Sequence, residues 1–219
     1  VAELRTEEEQ VQALKEWWKE NGKALVIGVA AAVAIVLGWK AWQGNQEQKA
    51  ANASALYQNL TEAVQLSAGG INESQYATAG HLNEQLRSDY ADTAYARYGA
   101  LMMASMAVSN GEIERALEEL DWVLGATTET DNIARVATLR KAMLLSQQGD
   151  ADAAINLLGS VDAGIYEVQY QELLGDLHAD NGRPSEAFAA YDRALKLGGG
   201  EQLRPLLKMK RDDLAGAES

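Results

Sequence analysis

The sequence predicts an all-α protein: one apolar N-terminal helix long enough to cross a membrane, then a stack of paired helices. Three observations carry this. Ala24 to Trp39 (ALVIGVAAAVAIVLGW) runs sixteen residues with no charge and no polar side chain beyond the indole of Trp39. A glycine followed five residues later by an alanine, then a helical pattern, occurs three times, at Gly111/Ala116, Gly149/Ala154 and Gly182/Ala187, at intervals of 38 and 33 residues. Proline occurs only twice, at Pro184 and Pro205, each near an expected helix start, and no period-two segment of useful length appears.

Residues 1–23 precede the apolar run. Thr6-x-x-Glu9 has the capping-box pattern, and Val11, Leu14, Trp17 and Trp18 fall on one face of a helix expected over Thr6 to Glu20. That face suits the membrane surface, and Asn21-Gly22 is expected to end the helix. The span itself covers residues 24–42. At about 1.5 Å per residue, sixteen residues reach roughly 24 Å and the nineteen up to Trp42 roughly 28 Å, against a hydrocarbon core of about 30 Å. Trp17, Trp18, Lys23, Trp39, Lys40 and Trp42 are the expected anchors, since tryptophan favours the headgroup level and lysine can snorkel to it.

A buried core helix rarely runs this far without a polar residue. A cleaved signal peptide needs a short basic leader and a small-x-small exit; here the leader holds Glu3, Glu7, Glu8, Glu9, Glu16 and Glu20, and the exit is Gly-Trp-Lys-Ala-Trp. Gly28/Ala32 and Ala30/Ala34 have small-xxx-small spacing, a weak signal in so alanine-rich a segment. Arg5, Lys15, Lys19 and Lys23 precede the span and only Lys40 and Lys49 follow closely, which favours a cytoplasmic N-terminus and an exported C-terminal domain. The chain has no cysteine, so a disulfide framework and thiol chemistry are excluded.

Residues 43–52 turn polar and are expected to form a short linker to a repeat domain over residues 53–214. A helical pattern resumes over Ala50 to Ser67 with Leu56, Leu60, Ala63 and Val64. A repeat period near 34 is that of tetratricopeptide arrays, two helices per unit. The third copy, LLGDLHADNGRPSEAFAAYDRALKL, resembles that family closely: Leu174-Gly175, the turn glycine Gly182, then Ala187, Tyr191, Ala194 and Leu195 stand at its offsets. Glycine permits the positive φ that ends a first helix. Gly175 and Ala187 let the two helices approach, and Tyr191 and Leu195 are expected to bridge to the next pair. Ala104 and Ala142 take the Gly175 place in the first two copies. A degenerate copy is expected from Ala53 to Leu86 with Gly69-Gly70 as its turn, and Glu201 to Leu214 as a capping helix over the last apolar face.

No signature of an enzyme is present. His81 and His178 stand alone, with no metal-ligand spacing near either, so no metal or cofactor is expected. Glu118-Glu119 and Asp150/Asp152 are carboxylate pairs of the kind a solvated face carries. Gly69-Gly70 and Gly198-Gly199-Gly200 lack a following Lys-Ser/Thr and fit helix breaks. Residues 1–42 hold five basic and six acidic side chains, so of the total charge of −13, −12 falls on residues 43–219. A domain this acidic repels phosphate backbones, which excludes nucleic acid as a partner.

Over nearly its whole length the chain resembles the YfgM family, ancillary subunits of the bacterial SecYEG translocon. The residues that carry the resemblance are Glu9-Gln10-Val11, Trp17-Trp18, Glu20-Asn21-Gly22-Lys23-Ala24-Leu25 running into the span, Gly38-Trp39-Lys40 closing it, and the C-terminal LRPLLKMKRDDL. The first residue, Val1 instead of Met, leaves the true start open. The resemblance implies a single-pass protein of the bacterial inner membrane with a periplasmic repeat domain. It further implies association with SecYEG and with a periplasmic chaperone of the PpiD type, and a part in passing translocated polypeptides onward.

In tetratricopeptide arrays the first helix of each pair lines a groove. Carrying those offsets over selects Tyr98, Leu101 and Val108, then Val136, Leu139 and Met143, then Glu172, Asp176 and Asp180. Such a groove, apolar in the middle and acidic at its C-terminal end, would suit an apolar, basic-flanked stretch of unfolded polypeptide, with Met143 adapting to varied side chains. In the competing reading these side chains are core, or the N-terminal helix fills the groove. For function as a whole, the alternative is a membrane-anchored adaptor for envelope or division complexes, unrelated to secretion, because a repeat fold alone does not fix a function.

Overall fold

The computed structural model of the protein describes residues 7–66, 72–128 and 130–215. The capping box at Thr6 and the Gly69-Gly70 turn lie outside the described residues. The chain divides into two compact units, Val1–Asn52 and Ala53–Ser219.

The described part of the first unit is helical throughout and belongs to α1, Glu7–Leu66. The expected break at Asn21-Gly22 does not occur. A glycine ends a helix by taking a positive φ, and Gly22 does not take one. Instead the Asn21 Nδ2 donates to the Trp17 carbonyl at 3.1 Å, one turn back in the same helix. The Trp18 indole lies over Gly22, where a Cβ would meet the ring at 3.0 Å. Gly22 seats an aromatic ring one turn away rather than stopping the helix.

The polar stretch Gln43–Asn52 is helical too. Gln43 Nε2 donates to Glu47 Oε1 at 3.0 Å and Gln48 Nε2 to Asn52 Oδ1 at 2.9 Å, both at i,i+4 spacing. Between these ends lies a window of mean hydropathy 2.1, none of it buried. Ile27, Ile35 and Leu37 are 69%, 72% and 62% exposed. Covering one such side chain is worth about 1.5–3 kcal/mol. A core helix would be covered by its own fold; this one leaves its apolar side chains open and is long and apolar enough to cross a membrane.

The second unit is built from the end of α1, eight further α-helices and a short 3-10 turn (Gly164–Tyr166) among the described residues: α2 (Glu73–Asp89), α3 (Ala94–Ser109), α4 (Ile113–Gly125), α5 (Asn132–Gln147), α6 (Ala151–Gly159), α7 (Glu167–Asp180), α8 (Pro184–Leu197) and α9 (Pro205–Ala215). The three expected repeats are the pairs α3/α4, α5/α6 and α7/α8. Their turns share one geometry. Gly111, Gly149 and Gly182 have φ of 79°, 86° and 67°. The residue after each donates its N–H five residues back: Glu112 to Ala107 O, Asp150 to Leu145 O and Arg183 to His178 O, at 2.8, 2.9 and 2.9 Å. These bonds satisfy carbonyls that the helix end would otherwise strand. Gly182→Ala is therefore expected to cost about 1–2 kcal/mol. Gly159→Ala, at a helix end with open space and no positive φ, should cost nothing. Thermal melts of the detergent-solubilised chain, followed by circular dichroism, distinguish the two.

Helix starts are capped by side chains that suit the role. Asn72, Thr93, Asp131 and Asp150 accept bonds from the backbone N–H of Ser74, Ala96, Ile133 and Ala153. Pro184 and Pro205 open α8 and α9. The capping helix begins at Pro205 rather than Glu201, because Gly199 and Gly200 hold φ of 88° and 96° and a residue preceding proline avoids helical backbone.

The core runs the length of the stack. Ala53 and Leu60 of α1 pack with Leu86 of α2 and Met103 of α3, which joins the end of α1 and α2 to the stack. The packing then passes through Leu120 and Val123, Leu158, Tyr170 and Leu177, and finally Tyr191, Leu195 and Leu207. Tyr191 packs with Leu207 of the single helix α9 instead of a further pair, and its ring also sits on Gly175 inside its own pair.

Candidate functional site

In the first unit the expected anchors are solvent-facing on the helix. Trp17, Trp18, Trp39 and Trp42 are 47–63% exposed, and the Trp39 and Trp42 rings stand 5.1 Å apart. Lys23 and Lys40 are exposed.

In the second unit the first helices of repeats one and two, α3 and α5, frame two open cavities. The larger, about 440 Å³, is lined on its apolar side by Tyr57, Tyr98, Leu101, Met102, Ile133 and Val136, and elsewhere by Ser105, Asn132, Arg140 and Tyr166. The smaller, about 290 Å³, takes Ala104, Val108, Leu120, Met143, Leu144 and Gln147, with Ser105 and Arg140 again. Of the nine groove residues expected from sequence, Tyr98, Leu101, Val108, Val136 and Met143 line these cavities. Tyr98 and Met143 are well exposed, while Leu101 is buried. Leu139 faces the other way, packed on the core around Ala142 and Tyr170.

The acidic end is not open. Lys210 of α9 donates to both carboxylate oxygens of Asp176 at 2.8 and 3.0 Å and lies 3.5 Å from Glu172. Arg204 stands 3.9 Å from Glu172. Tyr191 donates its hydroxyl to Asp176 at 2.6 Å; burial and this bond hold that hydroxyl well above the usual phenol range. Glu172 and Asp176 thus hold the capping helix and do not form a free acidic rim; Asp180 is exposed.

Two further positions depart from expectation. Glu118 is exposed, but Glu119 is buried, not solvated. It accepts from Asn83 Nδ2 at 3.0 Å and pairs with Arg87 at 3.1 Å; Arg87 in turn lies 5.0 Å over the Trp122 ring. Burial raises the Glu119 carboxyl above its ordinary value, more than Asn83 and Arg87 lower it. Arg135, which drew no notice in the sequence, is also buried. It donates from Nε to the Asp162 carbonyl at 2.8 Å and from Nη2 to the Asp162 carboxylate at 3.1 Å. Gly164, at φ 52°, leaves room for its guanidinium; a Cβ there would stand 2.5 Å from Cζ. His178 is half-buried and His81 exposed.

The residue that sequence reasoning missed in the groove is Arg140, which borders both cavities. The signal was its spacing: it lies four residues after Val136 and three before Met143, on the face those two define.

Paired helices at this period, with a lipid-facing segment at the N-terminal end, define a membrane-anchored tetratricopeptide-like repeat protein. The family model described as a tetratricopeptide repeat-like domain matches residues 15–216. The ancillary SecYEG translocon subunits of Escherichia coli, Haemophilus influenzae and Neisseria gonorrhoeae are 30%, 27% and 26% identical to it over 209 residues, in each case 95% of this chain and 97% of the relative. The solved structure of a MamA double mutant (RS-1 ArsTM) aligns with a TM-score of 0.51 at 15% identity, covering 75% of this chain and 97% of that one, which speaks to the fold alone. The chain belongs to the YfgM family of ancillary SecYEG translocon subunits.

Proposed function

We propose that the protein is an inner-membrane-anchored ancillary subunit of the SecYEG translocon that holds its repeat domain on the periplasmic side and helps pass emerging polypeptides to a periplasmic chaperone of the PpiD type. The observation that carries this is the 30% identity to the Escherichia coli ancillary subunit across 95% of the chain. The four-to-two excess of basic residues before the span supports an inside N-terminus. The activity is positional rather than catalytic. A span docked beside the channel keeps the groove of α3 and α5 at high effective concentration near the exit, so affinity for each client can be low.

The test is a photo-crosslinking amino acid placed at Val33 in the span and at Tyr98 in the groove, in cells. SecY is expected from the first and translocating polypeptide from the second. Division or envelope-synthesis proteins in place of SecY would transfer the reading to the assembly adaptor. Resistance of the repeat domain to protease added to spheroplasts would overturn the orientation.

A further inference from the structure

We infer that the groove between α3 and α5 selects a short extended segment that is apolar at both ends and carries an acidic side chain, Asp or Glu, at its centre. This rests on the reading of that groove as a polypeptide site and names what it prefers.

Arg140 is the one charged side chain among the described residues lining either cavity. It borders both, so it stands at the middle of the groove. Its Nη1 donates to the Leu101 carbonyl of α3 at 2.9 Å, which ties the guanidinium across the space between the two helices. That bond leaves the remaining guanidinium donors for a ligand. No carboxylate among the described residues pairs with it. Among the described arginines, Arg87, Arg115, Arg135, Arg183, Arg193, Arg204 and Arg211 each have an acidic partner; Arg97, which donates to the Ala126 carbonyl, and Arg140 do not, although the domain around Arg140 is strongly acidic.

The rest of the lining is aromatic or aliphatic on either side of that cation: Tyr98 and Val136 toward one end, Val108 and Met143 toward the other. The distance from Tyr98 to Val108 along α3 is about 15 Å at 1.5 Å per residue. An extended chain covers it with about four or five residues at 3.3 Å each. A carboxylate at the centre of such a segment meets the fixed guanidinium, where a charge-assisted bond is strongest. The acidic groups that would have favoured basic flanks, Glu172 and Asp176, are held by Lys210, so the groove presents positive rather than negative charge.

The experiment uses the full chain in lipid nanodiscs and fluorescein-labelled peptides Ala-Leu-Val-Glu-Val-Leu, with Gln or Lys in place of Glu, read by fluorescence anisotropy. The Glu peptide is expected to bind roughly tenfold more tightly than the Gln peptide, and the Lys peptide least. Arg140→Ala should remove the preference while keeping the Gln affinity. Arg140→Lys should retain part of it, and Arg140→Glu should transfer it to the Lys peptide. Val136→Trp should block all three. Equal binding of Glu and Gln peptides, still abolished by Val136→Trp, overturns the charge inference and leaves the groove reading intact. Absence of binding, or binding that Val136→Trp does not alter, overturns both. A chain that dimerises through this face, with Val136→Trp restoring the monomer, also overturns both.

Discussion

Gly175→Ala is expected to destabilise the repeat domain by about 1–3 kcal/mol, the range for overpacking a filled core. A Cβ at position 175 would stand 2.3 Å from Tyr191 Cε1. The ring cannot swing away freely, because its hydroxyl is bonded to Asp176 at 2.6 Å. The other repeats show the cure. Sixteen residues separate Gly175 from Tyr191, and the same interval separates Ala104 from Leu120 and Ala142 from Leu158. All four of those residues are buried. The stack thus fills one space in two ways, glycine under tyrosine or alanine under leucine. Adding Tyr191→Leu to Gly175→Ala should recover most of the loss, although Tyr191→Leu alone leaves a void and costs about 1–3 kcal/mol itself. A double-mutant cycle by urea unfolding should give a favourable coupling of about 1–2 kcal/mol. Additive losses would show that the two positions do not share that space.

Glu119→Leu should cost about 1–3 kcal/mol, as when a buried donor is left without its acceptor. The loss leaves the buried Asn83 amide without an acceptor and Arg87 without its carboxylate. Glu119→Gln keeps an acceptor for Asn83 and isolates the effect of charge. Because burial raises the Glu119 carboxyl above its ordinary value of 4.5, the folded chain binds that proton more tightly than the unfolded chain. Its contribution is therefore fully present below pH 4.5 and is lost as pH rises through the raised folded value. Relative to Glu119→Gln, the native chain should lose stability as pH climbs from about 4.5 toward 7, read from urea midpoints at each pH. A native chain that gains on the glutamine variant over that range would mean the pairing with Arg87 outweighs burial.

Much of the fold was legible because it rests on local chemistry. A turn glycine, an alanine five residues on and a proline at a helix start act within one or two turns of chain, and each stands where the pattern put it. The apolar segment was legible for the same reason. What the sequence hid depends on contacts between elements. Glu119 looks like its exposed neighbour Glu118 until α2 brings Asn83 and Arg87 against it. Asn21-Gly22 looks like a helix end until Trp18 is seen to cover the glycine. Of the nine residues picked by repeat offsets, five line the two cavities beside α3 and α5. The acidic end was misread because α9, lying beyond the last repeat, supplies Lys210 and Arg204 to it.

That last feature gives the stack two unlike ends. Toward α1 the packing is held by interlocked apolar side chains around Leu60, Leu86 and Met103, which salt barely touches. At α9, Leu207 is the deeply buried anchor, and ion pairs add to its grip: Lys210 on Asp176 of α7 and Arg211 on Asp192 of α8. Half-exposed ion pairs weaken as ionic strength rises. The stack is thus fastened by grease at one extremity and by brine-sensitive clasps at the other, and rising ionic strength would loosen α9 before it loosened the end at α1.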